Sequence, residues 1–310
     1  MLSRRQGAYG AGFKRKRLFK NVLFCVIILA FLSVSMVFLL KTRISNRGER
    51  RHLRDSFESG AFDDAYALSA GMLKETPLDS FLLTIHGFSS YQLAIAQTNS
   101  FDTMSYVDNC IWSLRKAMLS RDSQNDGRIF YVLGKAYYNK GAGYADLAVS
   151  YLEKARAALY RAADIPEYLG LAYAGIRDFR SSVEAFSLAL TGTTDPSDLL
   201  LLSIARSYLA LEEVETAKAY LVRCLEITKD SKITAAARLG LGSTMIKTGD
   251  ITAAEKEFLK AVEEDGENAE AHYQLGELYA LAGDPTRARA EWRRAVRIDP
   301  THGPARGRLN

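Results

Sequence analysis

Cysteine and histidine are both scarce in this chain of 310 residues, at three and four copies. Cys25, Cys110 and Cys224 stand too far apart for a disulfide framework or a zinc spacing. His52, His86, His272 and His302 are dispersed, and none has a second ligand at the His-Glu-x-x-His spacing. Leu133-Gly134-Lys135 lacks the upstream glycine of a phosphate loop, and the acidic triplet Glu263-Glu264-Asp265 runs into Gly266 as a solvated helix end would. Catalytic residues, cofactor sites, metal sites and a small-molecule substrate are therefore not expected, and the chain does not read as an enzyme.

Charge is missing altogether from Val22 to Leu40, nineteen residues broken only by Ser33 and Ser35. As a helix this run would span about 28 Å, close to the roughly 30 Å of a bilayer's hydrocarbon. It is longer than the apolar run of a cleaved secretory signal and ends in Phe38-Leu39-Leu40-Lys41 without a small-x-small site, so an uncleaved single-pass anchor is expected. Only Val22, Leu23 and Phe24 precede Cys25 within the run, and Phe24 is bulky, so Cys25 reads as a membrane-embedded residue rather than a lipid-attachment site. Residues 1–54 carry thirteen Lys and Arg against one acid, Glu49, a net of +12; the whole chain is +5, which leaves −7 for the remainder. The basic tail at 1–21, with Lys14, Arg15, Lys16, Arg17 and Lys20 together, is expected to stay cytoplasmic and to touch anionic lipid headgroups. Lys41, Arg43, Arg47, Arg50, Arg51 and Arg54 flank the other end. This orientation would put the rest of the chain outside the inner (cytoplasmic) membrane, in the periplasm or beyond; a cytoplasmic orientation is the alternative. A net acidic folded portion argues against nucleic acid as a partner. Arg287, Arg289, Arg293, Arg294 and Arg297 share one helix, a pattern that a solvated face explains.

The second half of the chain repeats. Shifting residues 235–268 by 34 lays Leu241-Gly242 on Leu275-Gly276, Met245 on Tyr279, Gly249-Asp250 on Gly283-Asp284, Ala254 on Ala288, Phe258 on Trp292 and Ala261 on Ala295. A period in the mid-thirties marks a solenoid of helical hairpins, each needing a neighbour to cover its apolar face. Leu275, Gly276 and Tyr279 form one stripe of a first helix; Gly283-Asp284 ends it, Pro285 opens a second, and Ala288, Trp292 and Ala295 form its inner stripe. Small Gly276 and Ala288 let the two helices approach closely.

This pattern resembles the tetratricopeptide repeat (TPR), which reads Leu-Gly, Tyr, Ala, an aromatic, Ala and Pro at set intervals. The resemblance extends upstream through Gly134 and Tyr137 (unit 127–162, with two residues inserted near Gly141-Gly143), Gly170 and Tyr173 (163–197, Ser182 replacing the usual Ala), and Ala205 and Tyr208 (198–231). Units 235–268, with Gly242, and 269–302, with Gly276, Tyr279, Ala288 and Trp292, complete five. Residues 41–126 hold two divergent hairpins after a juxtamembrane segment, with a lengthened connection from Gln97 to Tyr106, and 303–310 forms a tail in which an extra helix is not expected. The implied fold is all-α, an anchor helix at 22–40 followed by a right-handed TPR-like solenoid.

That resemblance also implies a groove lined by first helices that holds an extended or helical peptide of a protein partner. Mapped onto this chain, it nominates Phe81, Phe88, Tyr91, Tyr131, Lys135, Tyr138, Asn139, Leu202, Arg206, Leu209, Leu239, Ile246 and Tyr273. The set favours an apolar peptide with polar anchoring, and the Lys, Arg and Asn clamp for a terminal carboxylate is not reproduced. The implied role is a membrane-anchored scaffold or adaptor for an envelope, secretion or motility assembly. A periplasmic holdase, or a regulatory subunit of a membrane enzyme, is the alternative.

Overall fold

The computed structural model describes residues 47–310, which are helices joined by short turns with no strand among them. Two compact units divide the chain, Met1–Pro77 and Leu78–Asn310. The expected anchor at Val22–Leu40 lies outside the described residues, and among those described no helix is long and apolar enough to cross a membrane.

In the first unit, α1 (47–58) and α2 (Phe62–Leu73) form a hairpin around buried Leu53 and Ala65. Phe57 and Phe62 meet edge to face across the turn at 5.7 Å. In the second unit, six hairpins follow in order: α3 (Ser80–Ala96) with α4 (Ser100–Ala117), α5 (Gly127–Lys140) with α6 (Ala145–Ala157), and α7 (Ile165–Gly175) with α8 (Phe179–Thr191). Then come α9 (Asp198–Ala210) with α10 (Val214–Ile227), α11 (Ser231–Lys247) with α12 (Ile251–Glu264), and α13 (Ala269–Leu281) with α14 (Pro285–Ile298); α15 (Gly303–Leu309) closes the described chain.

One contact recurs in the hairpins. A small residue on the first helix faces a large one on the second, so closely that an added Cβ would overlap it. That Cβ would fall 2.6 Å from Leu114 at Gly87, 2.5 Å from Leu152 at Gly134, and 2.4 Å from Phe186 at Gly170. At Gly242 it would fall 2.2 Å from Phe258, and at Gly276 2.4 Å from Trp292. Ala205 holds the corresponding place on α9, fully buried in a cluster with Leu221. Ala288, buried beside Trp292, keeps the return helix equally near. Ser182 earns its place where alanine is usual because its Oγ donates to the Gly170 carbonyl at 2.8 Å and lies 3.0 Å from Ser207 Oγ. Cys110 and Cys224 are buried packing residues of second helices.

The turns within hairpins are equally regular. Gly141, Arg177, Glu212, Gly249 and Gly283 all have positive φ, at 113°, 63°, 62°, 85° and 79°. The following N–H reaches back five residues in four of these turns, from Asp178 to Tyr173, Glu213 to Tyr208, Asp250 to Met245 and Asp284 to Tyr279, at 2.9–3.0 Å. This pairing satisfies carbonyls that a helix end leaves open. Asp178, Asp250 and Asp284 then cap the next helix, accepting from Ser181, Ala253 and Arg287 N–H. The two-residue insertion near Gly141-Gly143 is taken up in a three-residue 3-10 turn, Ala142–Tyr144.

Three sequence expectations need correction. The lengthened connection at Gln97–Tyr106 shrinks to residues 97–99, because Asn99 caps α4 by accepting from the Phe101 N–H at 2.8 Å. The tail after Pro300 is helical: Pro304 falls in the first turn, where its missing N–H costs nothing, and His302 Nδ1 accepts from the Ala305 N–H at 3.2 Å. Ala305 is buried and Leu309 packs on the Phe258–Trp292 cluster. Residues 232–234, left between units, belong to α11, which Asp230 caps from Ser231 onward.

Gly276→Ala is expected to cost about 1–3 kcal/mol, since the rigid Trp292 ring and the Ala288 carbonyl oxygen, 3.1 Å from the new Cβ, leave it no room. Gly307→Ala meets nothing within 4 Å and should be neutral or slightly stabilising. Urea unfolding of the two variants checks the difference, and equal midpoints would remove the packing role.

Candidate functional site

First helices touch their successors along the second unit, α3 with α5, α5 with α7, α7 with α9, α9 with α11 and α11 with α13, while second helices make no comparable contact with one another. The shorter spacing puts first helices on the inner side of the stack. Their inward residues form two distinct regions.

The first region centres on Lys135 of α5, whose side chain is 14% exposed. Its Nζ donates to Asp164 Oδ2 at 2.7 Å and to the Tyr131 hydroxyl at 3.0 Å, and the Tyr131 hydroxyl is itself 2.8 Å from both Asp164 oxygens. The same ammonium lies 4.4 Å from the Tyr168 ring centre, 5.0 Å from Tyr131 and 5.8 Å from Tyr91. Tyr138 stands edge-on to Tyr168 at 5.4 Å, Tyr160 lies against Tyr131 at 5.3 Å, and Asn139 Nδ2 reaches the Tyr91 hydroxyl at 3.4 Å. Burial alone would lower the Lys135 pKa, but its bonds to Asp164 and Tyr131 and the surrounding phenols hold it above the ordinary value. Burial raises Tyr91, and it pushes Tyr131 up to about 12, with Asp164 adding to that rise and Lys135 opposing it. Burial, then the charge of Asp164, raises Glu167.

The second region is an open groove of about 300 Å³ between α9, α11 and α13. Leu202, Leu209, Leu221, Ala236, Leu239 and Gly240 make its apolar lining; Ser243, Asn268, Glu270 and Gln274 border it. Arg206 lies in it, exposed to water yet closed in by protein on several sides, and that desolvation lowers its pKa. No hydrogen bond or ion pair joins Arg206 to another described residue. Glu270 is engaged elsewhere, accepting from Gln274 Nε2 at 2.6 Å and lying 3.1 Å from His302 Nε2.

The nominated residues thus separate. Tyr91, Tyr131, Lys135, Tyr138 and Asn139 gather round one internally satisfied cation, and Leu202, Arg206, Leu209 and Leu239 line the open groove. Leu202 and Leu239 are largely buried there, so their edges form its floor. Ile246 packs on the Phe258–Trp292 cluster, Tyr273 lies against His302 at 5.3 Å, and Phe81 and Phe88 are half-buried on α3. Among the packing residues, Tyr137 stacks on Tyr151 at 5.5 Å, Tyr208 stacks on Tyr220 at 5.7 Å, and Tyr173 donates to Glu153 Oε1 at 2.9 Å. Arg287 covers Tyr279 at 4.3 Å. His272, a packed side chain in the place of a consensus tryptophan, has Nδ1 2.7 Å from buried Glu291. Asp164, Tyr160, Tyr168, Ala236 and Gly240 were missed from sequence; an Asp at the head of the unit after Lys135 was the available signal.

Family models for the tetratricopeptide repeat match residues 200–231 and 239–302. These two segments are tetratricopeptide repeats. They run from α9 to α14 and take in every lining residue of the open groove except Ala236. No curated protein matches the chain. Among solved structures, the TPR fold is shared with the C-terminal part of a TPR repeat-containing protein from Cytophaga hutchinsonii, 15% identical over 84% of this chain and 99% of that one, TM-score 0.53. Pseudomonas aeruginosa pilF is 15% identical over 71% of this chain and 95% of its own, also at 0.53. The APC/C Cut9–Hcn1 hetero-tetramer matches at 16% identity over 80% of this chain and 52% of that one, again at 0.53.

Stability should hold up to about pH 10 and fall between about 10 and about 12, because the folded chain keeps Tyr131 protonated over a range in which the unfolded chain ionises it. Tyr131→Phe should flatten part of that fall in alkaline urea titrations. Asp164→Asn at neutral pH should cost about 1–3 kcal/mol by leaving Lys135 half-buried without its carboxylate.

Proposed function

We propose that this chain is a membrane-anchored TPR scaffold that captures a peptide segment of a protein partner on its inner, first-helix surface. The observation that carries the reading is the groove between α9, α11 and α13, large enough for a few side chains, apolar at its floor and polar at its border. TPR folds mediate protein–protein contacts, and the similar fold in the Cut9–Hcn1 structure is part of a multiprotein assembly. Lys135 and Tyr131 belong to an internal network, so this reading moves the capture site from them to Leu209 and its neighbours.

The anchor rests on the uncharged run Val22–Leu40 and its basic flanks. Tethering confines the groove to the membrane surface and raises its effective concentration toward complexes there. The reading places the protein in the inner membrane as a single-pass protein, with the repeats on the extracytoplasmic side, serving an envelope, secretion or motility assembly.

Leu209→Glu in the full chain should leave helix content unchanged and abolish recovery of one stoichiometric partner after crosslinking in membranes; undiminished recovery would sink the groove. Broad, weak recovery of many unfolded chains would instead favour the holdase. Extraction of the native chain from membranes by alkaline carbonate would sink the anchor.

A further inference from the structure

The two regions of the inner surface occupy the same repeat positions in different units. Counting from the small residue that faces the partner helix, Lys135 follows Gly134 as Arg206 follows Ala205. Tyr131 corresponds to Leu202, three residues before, and Tyr138 to Leu209, four after. On the succeeding first helix, Asp164 stands six residues before Gly170 and Tyr168 two before it; the same places before Gly242 hold Ala236 and Gly240. The chain therefore contains two versions of one site. At Lys135 the carboxylate and the aromatic cover are built in, at 2.7 Å and 4.4 Å from the ammonium. At Arg206 the corresponding places hold only the methyl group of Ala236 and the bare backbone of Gly240, which packs closely on Leu221, and both residues line the open groove.

A guanidinium over leucine side chains, with no carboxylate of the described residues bonded to it, is complementary to a carboxylate that has an apolar group beside it. We propose that the α9–α11–α13 groove binds a peptide segment bearing an Asp or Glu side chain beside an aliphatic one, its carboxylate on the Arg206 guanidinium and its aliphatic group over Leu202, Leu209 and Leu239. This deepens the groove reading and rests on it. Guanidinium and carboxylate match as two parallel N–H to O bonds, stronger than neutral ones and worth more where water is partly excluded. Glu270 does not supply the missing charge, being held by Gln274 and His302. Ala236 supplies the means of testing, because an aspartate installed there recreates the arrangement that Asp164 makes with Lys135.

The full-length chain is used to select binders from a displayed library of random short peptides, alongside Arg206→Gln, Arg206→Lys and Ala236→Asp. Native chain should enrich peptides with Asp or Glu next to Leu, Ile or Val, and each enriched peptide should bind about tenfold more tightly than its Gln or Asn counterpart. Arg206→Lys should keep the acid preference, Arg206→Gln should enrich aliphatic peptides without it, and Ala236→Asp should lose the enrichment while melting no lower than the native chain. Peptides enriched by the native chain with no acid preference, or an acid preference that survives Arg206→Gln, would overturn the proposal and leave the groove standing. Native chain that enriches no peptide would overturn both.

Discussion

The close approach of two helices at a residue too small to hold them apart governs the second unit. Gly87, Gly134, Gly170, Gly242 and Gly276 each leave room for a large side chain from the second helix to lie against bare backbone, and Ala205 does nearly the same. A hairpin closed this way is thin and keeps an apolar flank uncovered. Leu275, Leu278 and Tyr279 of α13 accordingly pack with Leu239, Ala254 and Phe258 of the preceding hairpin as well as with Trp292 of their own. Burial by neighbours rather than by a common centre draws the structure out into a stack.

The stacking releases first-helix side chains from core duty and presents them in rows along the inner side. What a row does then depends on a few substitutions between otherwise equivalent places. At Lys135 the chain spends its charge and aromatic surface on itself, tying α5 to α7 through Asp164 and Tyr168. At Arg206 the same scaffold leaves the charge unspent and the surface aliphatic. One backbone geometry thus serves as a rivet in one unit and leaves an open groove in another.

The hairpins were legible because the packing constraint writes itself directly into spacing: Leu-Gly, Tyr and a large residue opposite recur wherever the helices touch. Helix ends were less so. Asn99 and Pro304 occur as readily in loops as in first turns, and only their hydrogen bonds and neighbours decide between the two. The inner surface was legible as a set of positions but not as a pattern of partners. Lys135 and Arg206 look alike in sequence, and what separates them is whether Asp164 or Ala236 approaches from the next helix, a contact made across units and invisible to any periodicity within one.

The turn of the α9–α10 hairpin departs from its counterparts. Where α11–α12 and α13–α14 use Gly-Asp, it has Glu212 held at positive φ and Glu213 without a side-chain cap. A left-handed non-glycine residue costs about 1–2 kcal/mol, and a forgone cap about another. Arg177 in the α7–α8 turn carries the first cost and Tyr144 before α6 the second, but among the hairpin turns of the second unit only that between α9 and α10, which joins the helix bearing Leu202, Arg206 and Leu209 to α10, combines both. That turn follows Leu209 closely, so the hairpin that lends most side chains to the groove is also the one whose two helices are joined with the least help from glycine and from a capping side chain.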